Sequence, residues 1–387
     1  MEYQRKDLPE KVLKIGFILA GLGLLLVVLS YLVDPQRSAF NNIIGMMFFA
    51  SISIGALILV GLEYLAGAVW STPMRRVSEF VASTLPFVVI MAIPLFFSLH
   101  SLFHWTHTDV VQSDKILAGK SSYLNVTFFT VRFFIVMLLM YMFYFVFIRN
   151  SRKQDVSRDQ SLTKTNVKLS AVFMAAAGIG LTILAVDWIM SLEPHWFSTI
   201  FGIYFISGTL LAGLAVTTFI AVSLAENGYL PGVNRDHYYS LGALMFAITN
   251  FWAYIAFSQF LLIWYANIPE ETVWFIARWE GGWKYISIAL MIIRFAVPYS
   301  LLLSQPSKSD PKRLKQVAVI VLLAHLVDLY WLVMPTFSKT VVLSWTELGF
   351  PLLVIGIVII VFFMQSKKHN LMPIGDPKLE RGLDFHL

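Results

Sequence analysis

Two arginines and two aspartates stand out because they fall inside long apolar segments, where ionisable side chains are rare. Arg132 and Asp187 lie in neighbouring segments, and so do Arg294 and Asp328 further along the chain. A charged side chain in the middle of a bilayer costs on the order of 3 kcal/mol unless it is paired. We therefore expect Arg132 to pair with Asp187 and Arg294 to pair with Asp328. Such pairs can handle protons or bind a polar substrate, or they can only lock helices together, and the sequence leaves both roles open.

Two histidines extend these candidate sites. His325 precedes Asp328 by three residues, so the two side chains share one face of a helix. His100 stands at the end of another apolar segment, and we expect it to lie beside Arg132 and Asp187. Sets of His, Asp and Arg can carry protons or hydrogen-bond an oxygen of a quinol. The alternative is that each histidine only fills space in the core.

Glu63 lies near the end of the second apolar segment. From that position a carboxylate could pass protons from one face of the membrane toward Arg132 and Asp187. It could equally be a surface carboxylate that pairs with Arg75 and Arg76. The sequence favours neither interpretation.

The elements that position these residues follow from composition. Of 387 residues, 58% are hydrophobic and 13% charged, and the mean hydropathy is +0.72, whereas soluble domains are more polar. Crossing about 30 Å of hydrocarbon takes roughly 20 apolar residues. Ten such runs occur, at approximately 14–33, 43–62, 80–100, 124–148, 167–190, 200–224, 239–264, 284–305, 314–334 and 346–364. We predict an all-α polytopic membrane protein with about ten transmembrane helices.

The distribution of basic residues predicts the orientation of the chain. Of 29 lysines and arginines, few fall in the loops on the side away from the termini: Arg37, Lys115, Lys120, Arg278, Lys284 and Lys339. Cytoplasmic loops carry an excess of Lys and Arg, so we expect both termini in the cytoplasm. The net charge of +6 then reflects the orientation of the chain in the membrane, and no binding to nucleic acid is expected.

An internal repeat relates helices 2–5 to helices 6–9. Tyr123 precedes Arg132 by nine residues, and Tyr285 precedes Arg294 by the same interval. A Val-Asp pair followed seven residues later by proline occurs in helix 5 and again in helix 9. Because four helices separate the copies, the two units should have the same orientation in the membrane.

We therefore predict one integral membrane unit, 1–387, that contains two parallel four-helix bundles. Residues 43–190 form the first bundle and residues 200–334 the second, with helices 1 and 10 on their flanks. The longest predicted loops are short: 101–123, 149–166 and 265–283. The sequence gives no sign of an interrupted helix.

The absence of cysteine limits the cofactors that the chain can hold. Without it there are no disulfides, no haem attachment through CxxCH and no cysteine-ligated iron–sulfur cluster. A di-haem cytochrome b is also unexpected, because only His325 lies well inside a predicted helix. Any redox centre would be a haem or a quinone, or would belong to a partner protein, and no metal site is predicted.

Two long stretches resemble one family of respiratory membrane proteins. They are DWIMSLEPHWFSTIFGIYF at 187–205 and FWAYIAFSQFLLIWYANIPEETVWF at 251–275, with GGW following at 281–283. They are similar to the F-subunit family of alternative complex III, quinone-binding subunit 2 of a quinol:cytochrome c oxidoreductase. That family resembles the NrfD-like membrane subunit of polysulfide reductase, and the resemblance covers nearly the whole chain. It implies ten helices in two four-helix bundles in the bacterial inner membrane.

The resemblance also implies a substrate and partners. The partners would be an NrfD-like sister subunit, a periplasmic iron–sulfur protein, multihaem cytochromes c, small membrane subunits and lipids, with a terminal oxidase as a further option. Haems c and iron–sulfur clusters would lie in these partners. Menaquinol or another quinol would bind in the outer half of the first bundle, at His100, Arg132 and Asp187. The sister subunit, beside the iron–sulfur cluster, is an alternative place for quinol oxidation.

We expect the chain to support quinol oxidation in a respiratory chain and to conduct protons. The candidate residues for the proton path or the quinol site are Glu63, His100, Arg132, Asp187, Arg294, His325 and Asp328. Two alternatives stay open. The chain could be a structural scaffold without a quinol site of its own, or a stand-alone secondary transporter, a class in which parallel repeats are common.

Overall fold

The computed structural model describes residues 6–387, and helices make up most of this range, with no strand in it. Ten helical spans are long and apolar enough to cross a membrane, which confirms the predicted number. We number them α1 to α10: Glu10–Val33, Pro35–Ala66, Thr72–Phe97, Val126–Ser157, Gln160–Leu192, Phe201–Glu226, Arg235–Ala266, Trp283–Leu301, Pro311–Phe337 and Trp345–Lys368.

Several helices are longer than their apolar runs. Helix α2 begins at Pro35, where proline suits the first turn and Asp34 accepts a hydrogen bond from the Arg37 amide. The predicted loop 149–166 is wrong, because α4 continues to Ser157 and α5 starts at Gln160. Hydropathy marks only the part of a helix that lies in hydrocarbon, whereas the helix itself continues into water until a cap ends it.

Helices α2 and α6 form the centre of the molecule, since 94% and 78% of their most apolar windows are buried. They cross at Gly55 and Gly213. A Cβ added to Gly213 would lie 2.3 Å from the Gly55 carbonyl carbon, so the two backbones touch. Small residues allow this close approach between membrane helices.

The remaining helices surround this central pair. Helix α2 contacts α3, α5 and α9, and α4 packs against α3 and α5. In the same way α6 contacts α5, α7 and α9, and α8 packs against α7 and α9. Helices α1 and α10 pack along each other, and α10 also touches α2 and α3.

Two spans are interrupted, contrary to the expectation from the sequence. Helix α3 breaks at Ser83–Thr84, between Arg75–Ala82 and Leu85–Phe97. Helix α8 contains a π-helical turn at Met291–Ala296. Pro86 and Pro298 lie just beyond these two places, and proline cannot donate a hydrogen bond to the carbonyl four residues earlier.

With ten spans, the residues before α1 and after α10 lie at the same end of the bundle, which we call the terminal face. The opposite end is the distal face. Short helices cover the distal face, including Thr108–Ser113, Lys115–Lys120 and Pro269–Ala277. The chain after α10 folds back across the terminal face, where Leu371 and Met372 are buried.

Candidate functional site

The first predicted pair forms a complete ion pair, which we call the Arg132 site. Arg132 Nε and Nη2 each donate to a carboxylate oxygen of Asp187, both at 2.9 Å. Nη1 donates to the Tyr123 carbonyl at 2.8 Å, and the guanidinium carbon lies 3.7 Å from the centre of the Tyr123 ring. All three nitrogens of this buried arginine therefore donate hydrogen bonds, as in a bidentate structural pair.

Tyr123 lies outside the membrane-spanning segments, at the distal face. Burial raises the pKa of its phenol to about 12, and the nearby Asp187 carboxylate adds to this effect. The hydroxyl therefore stays protonated at physiological pH and covers the Arg132 site as a neutral group.

His100 does not join the Arg132 site. Its side chain is exposed, lies 3.3 Å from the Thr106 hydroxyl and stacks on His107 with ring centres 3.8 Å apart. Helix α3 ends at Phe97, and His100 belongs to the short separate helix Leu99–Leu102 that follows it. These histidines line a small cavity of about 90 Å³ together with Phe40 and Phe337.

The second predicted pair belongs to a larger buried set, the Arg294 site. It consists of Arg294 on the π-helical turn of α8, His325 and Asp328 on α9, Tyr204 on α6, and Trp252 on α7. Arg294 Nη1 lies 3.3 Å from Asp328 Oδ2, and Nη2 lies 2.9 Å from His325 Nδ1. The Tyr204 hydroxyl donates to the other oxygen of Asp328.

The hydrogen bonds of the Arg294 site fix the state of His325. A guanidinium has only donors, so His325 Nδ1 must be the acceptor and the neutral ring carries its hydrogen on Nε2. Among the residues that the structure describes, no group accepts from this buried Nε2, and Arg294 Nε also has no partner. Unpaired buried polar atoms are rare in native structures. The Arg294 site therefore has hydrogen-bonding capacity that the Arg132 site lacks.

The two sites differ in depth and in their tyrosines. Arg132 lies six residues into α4 and Arg294 eleven residues into α8, which is about 9 Å and about 16 Å of helix at 1.5 Å per residue. Tyr123 belongs to the loop before α4 and folds back onto its arginine. Tyr285 is already inside α8 and is 66% exposed, so Tyr204, which the repeat did not predict, takes the place beside the second pair.

Glu63 pairs with Arg75, as one of the two interpretations of the sequence predicted. Its carboxylate accepts from Arg75 Nη1 at 2.9 Å, but it is buried and not at the surface. Arg75 also pairs with Glu79 at 3.2 Å and with Asp376 at 2.8 Å. We call Glu63, Arg75, Arg76, Glu79, Asp155 and Asp376 the terminal ion cluster, in which Arg76 binds Glu79 and Asp155. Within residues 6–387, no hydrogen bond links Glu63 to the Arg132 site.

Sequence analysis missed half of this cluster, namely Glu79, Asp155 and Asp376. The spacing of Glu79, four residues after Arg75 and three after Arg76, is a helical ion-pair signal that was available. Asp376 gave no such signal, because it lies in the tail after α10 and reaches Arg75 only through the fold. The tail is held further along by His237 Nε2, which lies 2.9 Å from the Gly382 carbonyl.

Arg278, counted in the sequence only as a distal basic residue, is a buried clamp. It donates to the carbonyls of Trp331 and Leu332 at 3.2 and 2.9 Å and to Glu193 at 3.3 Å. Pro335 cannot donate to the Trp331 carbonyl, so Arg278 supplies the missing donor. Burial lowers the pKa of Arg278 to about 10, and the Glu193 carboxylate opposes that shift. The guanidinium thus stays charged at neutral pH.

A shallow apolar groove of about 380 Å³ faces outward between α6 and α7, lined by Ile200, Tyr254, Ile255, Ser258, Leu261 and Leu262. Ile200 and Ile255 each lie about one helical turn from Tyr204 and Trp252, whose ring centres are 5.7 Å apart. Neither of these two rings lines the groove. In the described part of the chain, no His, Cys, Asp or Glu residues form a group of three placed for a metal ion.

These observations define a polytopic α-helical membrane protein with buried charged residues. No model of a protein family matches the sequence, and no curated protein matches it. The similarity to the alternative complex III family therefore stays a prediction from the quoted motifs.

Proposed function

We propose that this chain is an integral membrane subunit of a quinol:electron-acceptor oxidoreductase, and that the Arg294 site handles protons in that reaction. Quinol oxidation releases two electrons and two protons, so a subunit of such an enzyme needs buried groups that accept or pass protons. The sequence motifs support the enzyme class. The hydrogen-bonded set of Tyr204, Asp328, Arg294 and His325, with its unpaired Nε2, supports the role of the site.

The arrangement of helices supports two repeated units. The contacts within α2–α5 follow the same order as those within α6–α9, and each unit holds one arginine–aspartate pair. We propose that these are two parallel four-helix units joined through α2 and α6. The excess of basic residues at the terminal face supports a cytoplasmic location of both termini in a bacterial inner membrane.

The two sites have different roles in this proposal. Each of the three guanidinium nitrogens of Arg132 has a hydrogen-bond partner, and in this sense the Arg132 site is saturated, so it locks α4 to α5 and supports the assembly. The Arg294 site has spare donors, and its arginine lies on a π-helical turn, a feature that is frequent at functional sites. Electrons would pass through haems c and iron–sulfur clusters of partner subunits, since the chain offers no cysteine. The partners proposed from the motifs are the sister NrfD-like subunit, the iron–sulfur protein, the cytochromes c and small membrane subunits.

The experiment is purification of the tagged chain from its native membrane in mild detergent, with haem spectra and subunit composition. Co-purified c-type haem and an iron–sulfur protein support the proposal, and a colourless single-subunit preparation overturns it. The site is then tested in proteoliposomes by proton movement coupled to quinol oxidation. Asp328→Asn should abolish coupled proton movement in an assembled complex. Its matched variant in the other unit, Asp187→Asn, should reduce assembly; unchanged coupling in Asp328→Asn contradicts the role of the site.

A second candidate is a secondary transporter, and the interrupted helices α3 and α8 favour it. Transporters of this kind place broken helices and charged residues near the middle of the membrane. A purified single chain that accumulates a solute in liposomes under a proton gradient would support this candidate. Turnover that needs haem-containing partners would exclude it.

A scaffold without a quinol site is the third candidate, favoured by the saturated Arg132 site and the Arg278 clamp. It predicts that Asp328→Asn leaves both quinol turnover and coupling intact.

A further inference from the structure

Two carboxyl groups of the terminal ion cluster meet at one nitrogen atom. Arg75 Nη1 lies 2.9 Å from Glu63 Oε1 and 2.8 Å from Asp376 Oδ2. Glu63 belongs to the last turn of α2, whereas Asp376 belongs to the tail, residues 369–387. The side chains of Glu63, Arg75 and Asp376 are 6%, 2% and 1% exposed, so this contact is buried.

The two carboxyl groups are bound unequally at this nitrogen. Nη1 donates a hydrogen bond to Glu63. Among the residues that the structure describes, none donates to Asp376 Oδ2, because this oxygen lies off the direction of the N–H bonds. A buried carboxylate oxygen without a donor is costly. A proton on the neighbouring carboxyl group of Glu63 supplies the missing donor.

The charges in contact within the cluster leave room for such a proton. Two guanidiniums face four carboxylates. Glu79 accepts three hydrogen bonds and Asp155 accepts two, which favours the ionised form of both. The deficit of positive charge therefore falls on Glu63 and Asp376.

Four other titratable groups lie around the cluster. The Tyr64 ring is 4.8 Å from the Arg75 guanidinium carbon, and its phenol is neutral at physiological pH. Burial lowers the pKa of His369 to about 4, so this ring is neutral as well. Arg152 and Lys378 are close by, but within residues 6–387 neither forms an ion pair with the four carboxylates. The deficit at Arg75 Nη1 therefore remains.

Glu63 is the better place for the proton. Asp376 Oδ1 accepts from the Lys378 amide at 2.8 Å, and a backbone hydrogen bond favours the ionised form of a carboxyl group. Glutamic acid is also the weaker acid of the two in water. A protonated Glu63 still accepts from Arg75 at Oε1 and has a hydrogen to donate to Asp376.

A plain ion-pair network also ties the tail to α3, but it leaves one feature unexplained. Arg75 Nη2 has no hydrogen-bond partner in the described part of the chain. An ionised Asp376 that only needed positive charge would pair with this free nitrogen. It lies instead at the nitrogen that Glu63 already uses.

The tail delivers Asp376 through a close approach of its backbone to α4. The Gly375 amide donates to Asp155 at 3.1 Å. A Cβ added to Gly375 would lie 2.0 Å from the Gln154 carbonyl oxygen, so only glycine fits there. The two carboxyl groups therefore meet only while the tail is docked.

We propose that Glu63 and Asp376 form a proton-binding site that the tail completes. With the tail docked, Glu63 carries a proton and donates it in a hydrogen bond to Asp376. Release of this proton to water at the terminal face leaves two carboxylates at one nitrogen, and their repulsion loosens the tail. Docking raises the proton affinity of Glu63, so the stabilisation is present at low pH and is lost as the pH rises.

The first test is infrared spectroscopy of the full chain in liposomes at neutral pH. A protonated carboxyl group gives its own C=O band, which shifts in D₂O. We expect such a band in the wild type and its loss in Glu63→Gln. Asp376→Asn should also remove it, because Arg75 then neutralises Glu63 alone. Asp384→Asn, which changes an exposed aspartate of the same tail, is the matched control and should keep the band.

The second test follows the tail with a thiol reagent, since the chain has no cysteine of its own. Met372→Cys places a thiol at a position that is 1% exposed, and Leu387→Cys places one that is 72% exposed. The ratio of their labelling rates cancels the pH dependence of the thiol itself. We expect this ratio to rise severalfold from neutral to alkaline pH, and to stay constant when Glu63→Gln is added. If Met372→Cys does not fold, Leu371→Cys, at 2% exposure, replaces it.

A wild-type chain without an infrared band that Glu63→Gln removes would overturn the proton-binding site. A labelling ratio that is independent of pH in the wild type would overturn its link to the tail. Neither measurement uses a quinol or a partner subunit. A negative result would therefore leave the oxidoreductase proposal standing, and a colourless single-subunit preparation would leave the proton-binding site untouched.

Discussion

Replacing Arg278 by methionine tests whether this one distal side chain holds the end of α5 to the end of α9. The guanidinium joins Glu193, which follows the 3-10 turn at the end of α5, to the last turns of α9. It also stacks on Trp274 at 3.5 Å from the ring centre. Methionine keeps most of the apolar volume of the stem and removes every donor. Any loss of stability then comes from hydrogen bonds and stacking.

The magnitude follows from the groups left behind. The Trp331 carbonyl would have no donor, because Pro335 cannot replace Arg278, and a buried unsatisfied carbonyl costs about 1–3 kcal/mol. The lost stacking of a desolvated cation on Trp274 adds about 1–2 kcal/mol. The pair with Glu193 adds little, since that carboxylate is partly exposed. Removal of a buried charge offsets part of the loss, and we expect a net destabilisation of about 2–4 kcal/mol.

The assay is thermal unfolding of the detergent-solubilised protein by tryptophan fluorescence at a fixed scan rate. With an unfolding entropy of about 2.1 cal/mol/K per residue, a loss of this size lowers the midpoint of a 387-residue chain by about 2–5 °C. Lys284→Met is the control, because it removes an exposed basic residue from the same face. Arg278→Lys should fall between wild type and Arg278→Met, since an ammonium cannot reproduce the planar fork. The reasoning is refuted if Arg278→Met melts together with the Lys284→Met control.

Three further predictions concern the centre and the terminal face. Gly213→Leu should prevent α2 and α6 from touching and lower the yield of monodisperse protein in size-exclusion chromatography, whereas Gly178→Leu, where a Cβ meets nothing within 4 Å, should not. Burial lowers the pKa of His369 to about 4, so between pH 6.5 and 4 the unfolded chain binds more protons than the folded chain. The free energy of unfolding should therefore decrease as the pH is lowered from 6.5 to 4. A pH scan of unfolding midpoints in which His369→Phe matches wild type would contradict this. Asp376→Asn should loosen the tail and speed trypsin cleavage at the exposed Arg381, and an unchanged cleavage rate would show that the ion pair does not hold the tail.

The candidate sites could be predicted only as far as local spacing reaches. Arg132 with Asp187 and Arg294 with Asp328 were identifiable because a charge in an apolar run needs a partner and the internal repeat supplies one. His325 followed from its spacing to Asp328. His100 was placed wrongly, since the sequence does not show that α3 ends before it and that the chain then leaves the bundle.

Other members of the sites left no local signal. In the sequence alone, Tyr204 and Trp252 look like ordinary aromatic residues of membrane helices. Only the packing of α6 and α7 in the folded protein brings them to Asp328 and Arg294. Asp376 reads as a loop residue, although the folded tail places it on Arg75. Contacts of this kind join residues far apart in the chain, so neither hydrophobic periodicity nor hydropathy predicts them.

The sequence by itself determined that this chain has ten helices long and apolar enough to span a membrane, because a helix in hydrocarbon must satisfy its own backbone hydrogen bonds and therefore needs its own long apolar run. It also determined that two arginine–aspartate pairs would be buried, since the cost of an unpaired charge in a bilayer is independent of the fold. The tertiary structure decided which pair is saturated and which keeps free donors. That difference depends on where a helix begins, breaks or turns into a π-helical segment, and on which side chains neighbouring helices bring to the same depth.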